Sequence, residues 1–257
     1  MAYAPVVITD LKQWFEKRHF IKRQGKKIGF VPTMGALHQG HLSLLEKSRR
    51  ENEVTVLSIY VNPTQFDNKE DLAKYPLTLE RDKTLAHKAE VDFLLAPTFE
   101  QIYPDKYRYK VSESDFSSKL CGSHRPGHFD GVLTVVMKLL NIVQADRAYF
   151  GEKDFQQLEL VRGMVEAFFL TTEIVPCPIV REEDGLAMSS RNVNLSAEAR
   201  SLASRFPAAL RDSLSASEAK ARLKLEGFEV DYVEDIGTRR LGAVKVGGVR
   251  LIDNVER

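Results

Sequence analysis

The sequence predicts a doubly wound α/β domain on a parallel sheet, followed by a small C-terminal α+β domain. Two observations carry this. Over the first three-quarters of the chain, short β-rich runs alternate with longer helical stretches, the order of a parallel sheet with crossover helices. Several of those runs are continuously apolar, as strands covered on both faces are. Past residue 191 the order changes to helices followed by strands.

The helical patterns of the first part cover residues 9–24, 41–52, 71–89, 131–143 and 155–169. The strands between them cover 27–31, 54–61, 92–96, 147–150 and 172–180. In the tail, 196–213 and 215–227 read as helices, with Ser215 and Glu218 spaced as a capping box. Strands follow at 229–236 and within 242–253, where Gly247-Gly248 suits a hairpin turn. The polar stretch 182–184 divides the chain into domains 1–182 and 183–257. Internal repeats and low-complexity segments are absent from the sequence.

Bulk properties narrow the function. Of 257 residues, 43% are hydrophobic, enough for a sizeable core. Lysine and arginine number 37 against 36 acidic residues, so no global field points to nucleic acid or an anionic membrane. Neither a membrane span nor a signal peptide is expected. No apolar run approaches about 20 residues, and Met1 to Asp10 lacks a charged segment leading into an apolar one. Cys121 and Cys177 stand alone, outside any disulfide or zinc spacing, and read as small buried hydrophobes in a reducing cytoplasmic setting.

Four segments have the residue types for chemistry, and each has a plainer reading. The string Pro32-Thr33-Met34-Gly35-Ala36-Leu37-His38-Gln39-Gly40-His41 follows a strand and opens a helix. Its glycines permit close backbone approach, and the helix start offers N–H groups to an anion. His38 and His41 fall on roughly one face there and suit a phosphate whose charge rises during transfer. Tyr60-Val61-Asn62-Pro63-Thr64-Gln65-Phe66 ends the second strand run. Asn62 and Gln65 can read hydroxyl and carboxylate groups, or the segment is an ordinary Asn-Pro turn. In Gly151-Glu152-Lys153-Asp154-Phe155-Gln156-Gln157, Lys153 can neutralise phosphate and Asp154 can accept from a ribose hydroxyl. Alternatively, Asp154 caps the next helix with Gln157 as its capping-box partner. Met188-Ser189-Ser190-Arg191 can grip phosphates as a mobile clamp, or is a solvated loop leading to a helix. The turn-rich segment 125–131 places Arg125 or His128 near an anion, or simply leads into its helix.

Together the strings PTMGALHQGH, YVNPTQF, DLAKYP, RPGHFDGV, GEKDFQQL and LAMSSRN, in that order, resemble the pantoate–β-alanine ligase family. They span residues 32–192 and are far more specific than the His38-Gln39-Gly40-His41 signature that many nucleotidyltransferases share. The resemblance implies a Rossmann-like nucleotidyltransferase domain with a small C-terminal lid. It implies a two-step reaction: ATP and pantoate give pantoyl adenylate and pyrophosphate, then β-alanine displaces AMP to give pantothenate. It assigns the ATP loop to Met34, Gly35, Ala36, Leu37, His38, Gln39, Gly40 and His41. His38, His41 and Lys153 become the catalytic groups, with His41 stabilising transition-state charge and able to donate a proton. Gln65 and Gln157 take pantoate, with Asn62 nearby and Gln65 also near β-alanine. Gly151, Glu152, Lys153, Asp154, Val180 (through its backbone), Met188, Ser189, Ser190 and Arg191 complete the nucleotide site. Mg²⁺ rides on the ATP phosphates, with Asp82 as an outer-shell partner, and the enzyme is a cytoplasmic homodimer.

Three places depart from the family pattern. Leu77 stands where an arginine often follows Tyr-Pro, which removes an anion contact there. Residues 168–172 are less polar than expected, and the C-terminal part is short. Competing readings are a nucleotidyltransferase of the same fold that releases its adenylated product, a non-catalytic nucleotide-binding protein and an aminoacyl-tRNA synthetase relative. The last lacks support because no anticodon-binding domain or basic excess is visible.

Overall fold

The computed structural model describes residues 4–257. The first three residues, part of the stretch read for a signal peptide, lie outside it. The chain runs β1 (Val6–Ile8), α1 (Leu11–Arg23), β2 (Ile28–Thr33), α2 (Gln39–Glu51), β3 (Val54–Ile59), α3 (Lys69–Ala73), α4 (Leu79–Lys88) and β4 (Phe93–Leu95). It continues through α5 (Phe99–Ile102), α6 (Cys121–His124), α7 (His128–Val143), β5 (Arg147–Gly151), α8 (Phe155–Ala167) and β6 (Glu173–Cys177). The tail comprises α9 (Ala197–Ala203), α10 (Phe206–Asp212), α11 (Ala216–Leu225), β7 (Glu229–Ile236), β8 (Arg239–Val246) and β9 (Val249–Glu256).

Strands β1 to β6 form one parallel sheet in the order β1-β4-β3-β2-β5-β6. From β2 the chain winds outward through β3 and β4, then crosses back to lay β5 and β6 on the other side. The winding reverses between β2 and β5, and a crevice opens there at the carboxyl ends of the strands. Helices cover both faces. Ile28, Phe30, Val56, Ala148 and Phe150 face a core shared with α1, α7 and α8. Val31, Leu57, Leu94 and Tyr149 face the opposite core under α2 and α4. Successive side chains thus alternate between two buried faces, so apolar residues dominate the strands, with Thr33, Thr55 and Ser58 the buried polar exceptions.

The tail forms an antiparallel sheet, β7-β8-β9. One face, with Val233, Val244 and Leu251, packs under α9 to α11. The other contributes Tyr232, Leu241 and Ala243 to the core of the first sheet's α7 side. The small unit is therefore fused to the larger one through apolar contact. The Gly247-Gly248 turn has positive φ at both residues, 54° and 76°, as a tight hairpin requires.

Several elements differ from the sequence reading. Strand β1, at the sheet edge, is too short to leave a periodic signal. The expected helix 71–89 is two helices, because the chain breaks at Tyr75-Pro76. The expected helix 196–213 also divides, with Pro207 in the first turn of α10. Strand β6 stops at Cys177, before Pro178, and tolerates Pro176 because it lies at an edge. Ser215 caps α11 by accepting from Glu218 N at 3.1 Å, but Glu218 reaches back to Leu214 N at 2.8 Å rather than to the cap residue.

Helix α7 lies hard against the 3₁₀ turn Pro63–Gln65. A Cβ on Gly131 would collide with the Thr64 carbonyl oxygen and sit 2.6 Å from Gln65 Cα. Gly131→Ala should therefore lower the melting temperature by about 4–8 °C, an overpacking cost of about 2 kcal/mol. By contrast, a Cβ on Gly163 of α8 meets nothing within 4 Å. Gly163→Ala should raise stability by about 0.5–1 kcal/mol. Thermal melts of the two variants beside the parent check both.

Candidate functional site

The crevice between the ends of β2 and β5 holds a cavity of about 220 Å³. It opens into a wider one of about 620 Å³ between the two sheets. The turn after β2 shapes its floor. Gly35 and Ala36 both have positive φ, 84° and 50°, so the chain reverses sharply before α2. Asp82, fully buried on α4, holds this turn: one oxygen accepts from Ala36 N at 2.9 Å and the other from Leu37 N at 2.8 Å. Thr78 Oγ1 also donates to Asp82, at 3.1 Å. With its oxygens turned to three protein donors and its side chain away from the cavity, Asp82 fastens the loop. The expected outer-shell contact with a metal is corrected accordingly.

The turn delivers two histidines. Gly40 N donates to His38 Nδ1 at 3.1 Å, and His38 N donates to His41 Nδ1 at 3.4 Å, a reciprocal capping box at the start of α2. A backbone N–H only donates, so both Nδ1 atoms are acceptors and both ring protons sit on Nε2. The rings lie 4.1 Å apart between centroids and line the cavity. Burial, followed by neighbouring positive charge, lowers the His38 pKa to about 4 and the His41 pKa to about 3. Each is then a neutral N–H donor at neutral pH. Lys153 is among the charges that depress both, which places its ammonium field over the pair.

The remaining loop residues divide by what they face. Met34 and Gly40 line the cavity with the histidines. Leu37 is fully buried in the α2-side core, Ala36 is buried and Gln39 is exposed. The side chains of Ala36, Leu37 and Gln39, expected at the nucleotide, therefore do not line the cavity, and Gly35 does not line it either.

At the end of β3, Asn62 is 1% exposed and saturated. Its Nδ2 donates to Gln65 Oε1 at 3.1 Å and to Gly131 O at 3.2 Å; its Oδ1 accepts from Thr64 at 3.0 Å and Tyr103 at 2.9 Å. Asn62 thus lines the cavity, as expected near the acid, and its side-chain groups are engaged by protein partners, one of which is the Gln65 oxygen. Gln65 then turns its Nε2 toward Met34 Sδ, at 3.2 Å. His128 and Arg125, expected near an anion, instead grip the Gln65 carbonyl at 2.7 Å and 3.3 Å, and Arg125 also pairs with Asp67 at 3.0 Å. Gln157 lines both cavities.

At the end of β5, Gly151, Lys153 and Asp154 line the cavity. Asp154 makes no capping bond to α8, so its carboxylate is not used as the capping alternative required. Its contact is Lys153, at 3.5 Å. Glu152 turns away: it pairs with Arg239 of β8 at 2.9 Å, so its reading as a nucleotide contact is corrected to an interdomain tie. Asn254 of β9 donates to the carbonyls of Glu152 and Lys153 at 2.8 Å and 3.2 Å.

The segment 188–191 forms the opposite rim and is pinned rather than solvated. Met188 N donates to the Val180 carbonyl at 3.0 Å, closing a short hairpin through Arg181 and Ala187. Arg181 forks onto Asp253 of β9 at 2.7 Å and 3.0 Å. Across the cavity mouth Ser190 meets Tyr75 Oη at 3.4 Å and Arg191 meets Asp71 at 3.2 Å. Tyr75 went unassigned in the sequence, although it belongs to the DLAKYP string. So did the apolar wall of Val132, Val135, Val136 and Leu139, which is hidden in sequence because α7 buries residues on nearly all sides. Leu77 is 82% exposed and does not line the cavity.

Comparison with known proteins agrees with this geometry. A family model described as pantoate-beta-alanine ligase matches residues 6–256. The chain is similar to the pantothenate synthetase of Bdellovibrio bacteriovorus, 57% identical over 235 residues that cover 91% of this chain and 94% of that protein. It is 53% identical to that of Coxiella burnetii, over 97% of this chain and 96% of that protein. Among solved structures, the Francisella tularensis pantoate-beta-alanine ligase, complexed with beta-gamma ATP and beta-alanine, superposes with a TM-score of 0.94 at 40% identity and 98% coverage of each chain. The Thermus thermophilus pantothenate synthetase gives 0.88 at 41% identity, covering 98% of this chain and 99% of that one. Family model, relatives and fold agree over nearly the whole length: the chain belongs to the pantoate–β-alanine ligase family of ATP-dependent ligases.

Proposed function

We propose that the protein joins pantoate to β-alanine at the β2/β5 crevice through an enzyme-held pantoyl adenylate. The pair of neutral, Nε2-protonated histidines facing Lys153 carries this reading most directly. In the first step a pantoate carboxylate oxygen attacks the α-phosphorus of ATP and pyrophosphate leaves. Negative charge grows on the phosphate oxygens. Two fixed N–H donors and one ammonium stabilise it without rearrangement. His41, neutral with its one proton on Nε2, stabilises that charge as a hydrogen-bond donor and keeps its proton. In the second step the β-alanine amine attacks the acyl carbon and AMP leaves, giving the amide. Adenylation is what makes the carboxylate an acyl donor; the protein supplies alignment.

Gln65, oriented by Asn62, and Gln157 suit the hydroxyls and carboxylate of pantoate. Asp154 suits a ribose hydroxyl. The Val180 carbonyl is occupied, which leaves its N–H for the nucleobase. Met188, Ser189, Ser190 and Arg191 suit the phosphates once Arg191 exchanges Asp71 for nucleotide. Mg²⁺ supplies charge neutralisation on the triphosphate when bound. It would ride on the phosphate oxygens and keep several waters; among the described residues no group of three or more His, Cys, Asp or Glu could hold a metal ion by itself. We place the catalytic domain at 1–182 and the lid at 183–257, the Arg181–Ala187 hairpin spanning their junction. A cytoplasmic homodimer belongs to the same reading and rests on the family resemblance. Among the described residues no helix is long and apolar enough to cross a membrane.

The deciding experiment is AMP release with ATP, pantoate and β-alanine, each acid omitted in turn. Sustained AMP formation should need both acids, whereas activity indifferent to β-alanine would indicate a simple nucleotidyltransferase. His41→Ala should lower the rate of adenylate formation about 10²–10³-fold while the dissociation constant for ATP changes far less. Equal losses in rate and binding would contradict a transition-state role. In two-bond proton–nitrogen NMR spectra, His38 and His41 should keep the Nε2–H tautomer from pH 8 down to about 5. Titration of either near the unperturbed value of about 6.5 would refute the neutral donors.

A further inference from the structure

Tyr60 stands between the end of β3 and Asn62. It is 7% exposed and lines the cavity with Asn62, Gln65 and the apolar wall of α7. Its Oη is buried and has no hydrogen-bond partner. Nearby groups are committed elsewhere: Asn62 is saturated, and Tyr103 Oη bonds Asn62 and Thr64. Phenylalanine would fill the same space and satisfy the same core. The hydroxyl is therefore what needs a role, since a buried polar group left alone destabilises the protein that carries it.

The location decides which ligand group it meets. Tyr60 belongs to the core on the α7 side of the sheet, whereas the residues of α2 pack on the other side. The reacting carboxylate has to approach phosphate at the histidines and Lys153. One hydroxyl of the acid sits beside the carboxylate and the other at the far end, and from that anchor point the acid reaches the α7 side, where Tyr60 lies. Burial pushes the Tyr60 phenol well above its ordinary pKa, so it stays a neutral hydroxyl that both donates and accepts. That is the partner an alcohol requires. Building on the ligase reading, we propose that Tyr60 is a specificity-determining residue of the acid pocket, its Oη hydrogen-bonding one of the two pantoate hydroxyls. A polar group left unpaired by the wrong substrate then discriminates against acids that lack that hydroxyl.

The test is Tyr60→Phe. The KM for pantoate should rise about fivefold to tenfold, with the ATP KM and kcat nearly unchanged. The unliganded variant should melt at the parent temperature or slightly above it, because no protein partner is lost. Two pantoate analogues, each lacking one hydroxyl, extend the test. For one of them the parent and the variant should have the same KM; the other should keep the full difference. An unchanged pantoate KM overturns the proposal. So does a KM difference that persists with both analogues, or a melting temperature lowered by several degrees, which would mark a structural hydroxyl. If the parent itself fails to use pantoate, the ligase reading falls and the Tyr60 role with it. A parent that works beside an indifferent variant removes Tyr60 alone.

Discussion

The site depends on one buried carboxylate. A strand can pass into a helix through two successive residues of positive φ only if something holds the turn, because Ala36 has no glycine freedom there. Asp82 supplies that hold from α4 with two backbone bonds. Orphaning those two N–H groups would cost about 1–3 kcal/mol each. The turn fixes where α2 begins, the start of α2 fixes His38 and His41 in their reciprocal cap, and the cap fixes the ring protons on Nε2. The electronic state of the histidines is thus set by a chain of backbone geometry that starts some forty residues downstream in the sequence.

The second constraint is mutual support between the two sheets. Arg239 and Asn254 of the small sheet hold the Glu152 side chain and the carbonyls of the Lys153 turn. Arg181, at the base of the Ser-Ser-Arg segment, is held by Asp253. The C-terminal unit therefore buttresses both walls of the crevice. Opposite, the contacts Ser190–Tyr75 and Arg191–Asp71 are long or partly exposed, and exposed ion pairs contribute little. This asymmetry leaves the rim at 188–191 the easier part to rearrange around a nucleotide.

Polar residues around Gln65 show why a motif is not a contact list. Asn62, Arg125 and His128 all belong to strings that mark the family, yet their hydrogen bonds run to Gln65 and its neighbours. Asn62 holds the side-chain amide through its oxygen, Arg125 and His128 hold the backbone carbonyl of the same residue, and Gly131 brings α7 close enough to complete the frame. A glutamine has two ends that differ chemically, so a substrate pocket that uses it has to fix which end faces inward. One bond from Asn62 to the Gln65 oxygen does that here, and the other three bonds on Asn62 fix Asn62 itself.

The sequence by itself determined the class of fold, the order of its main elements and the family. Continuous apolar runs are forced when a sheet is covered on both faces, and the residues at a strand-to-helix junction are forced by what the turn can accommodate. These are local consequences of side-chain chemistry, so they can be read locally. The tertiary structure decided which residues of each motif face the cavity. Leu37 and Glu152 turn away, Asp82 becomes a fastener, and Tyr75, Tyr60 and the α7 wall enter. Such choices depend on which donor or acceptor lies opposite, often on an element a hundred residues away, as between Asn254 and Lys153. No local pattern encodes a partner at that separation, because the register between distant elements is set by the packing of the whole core.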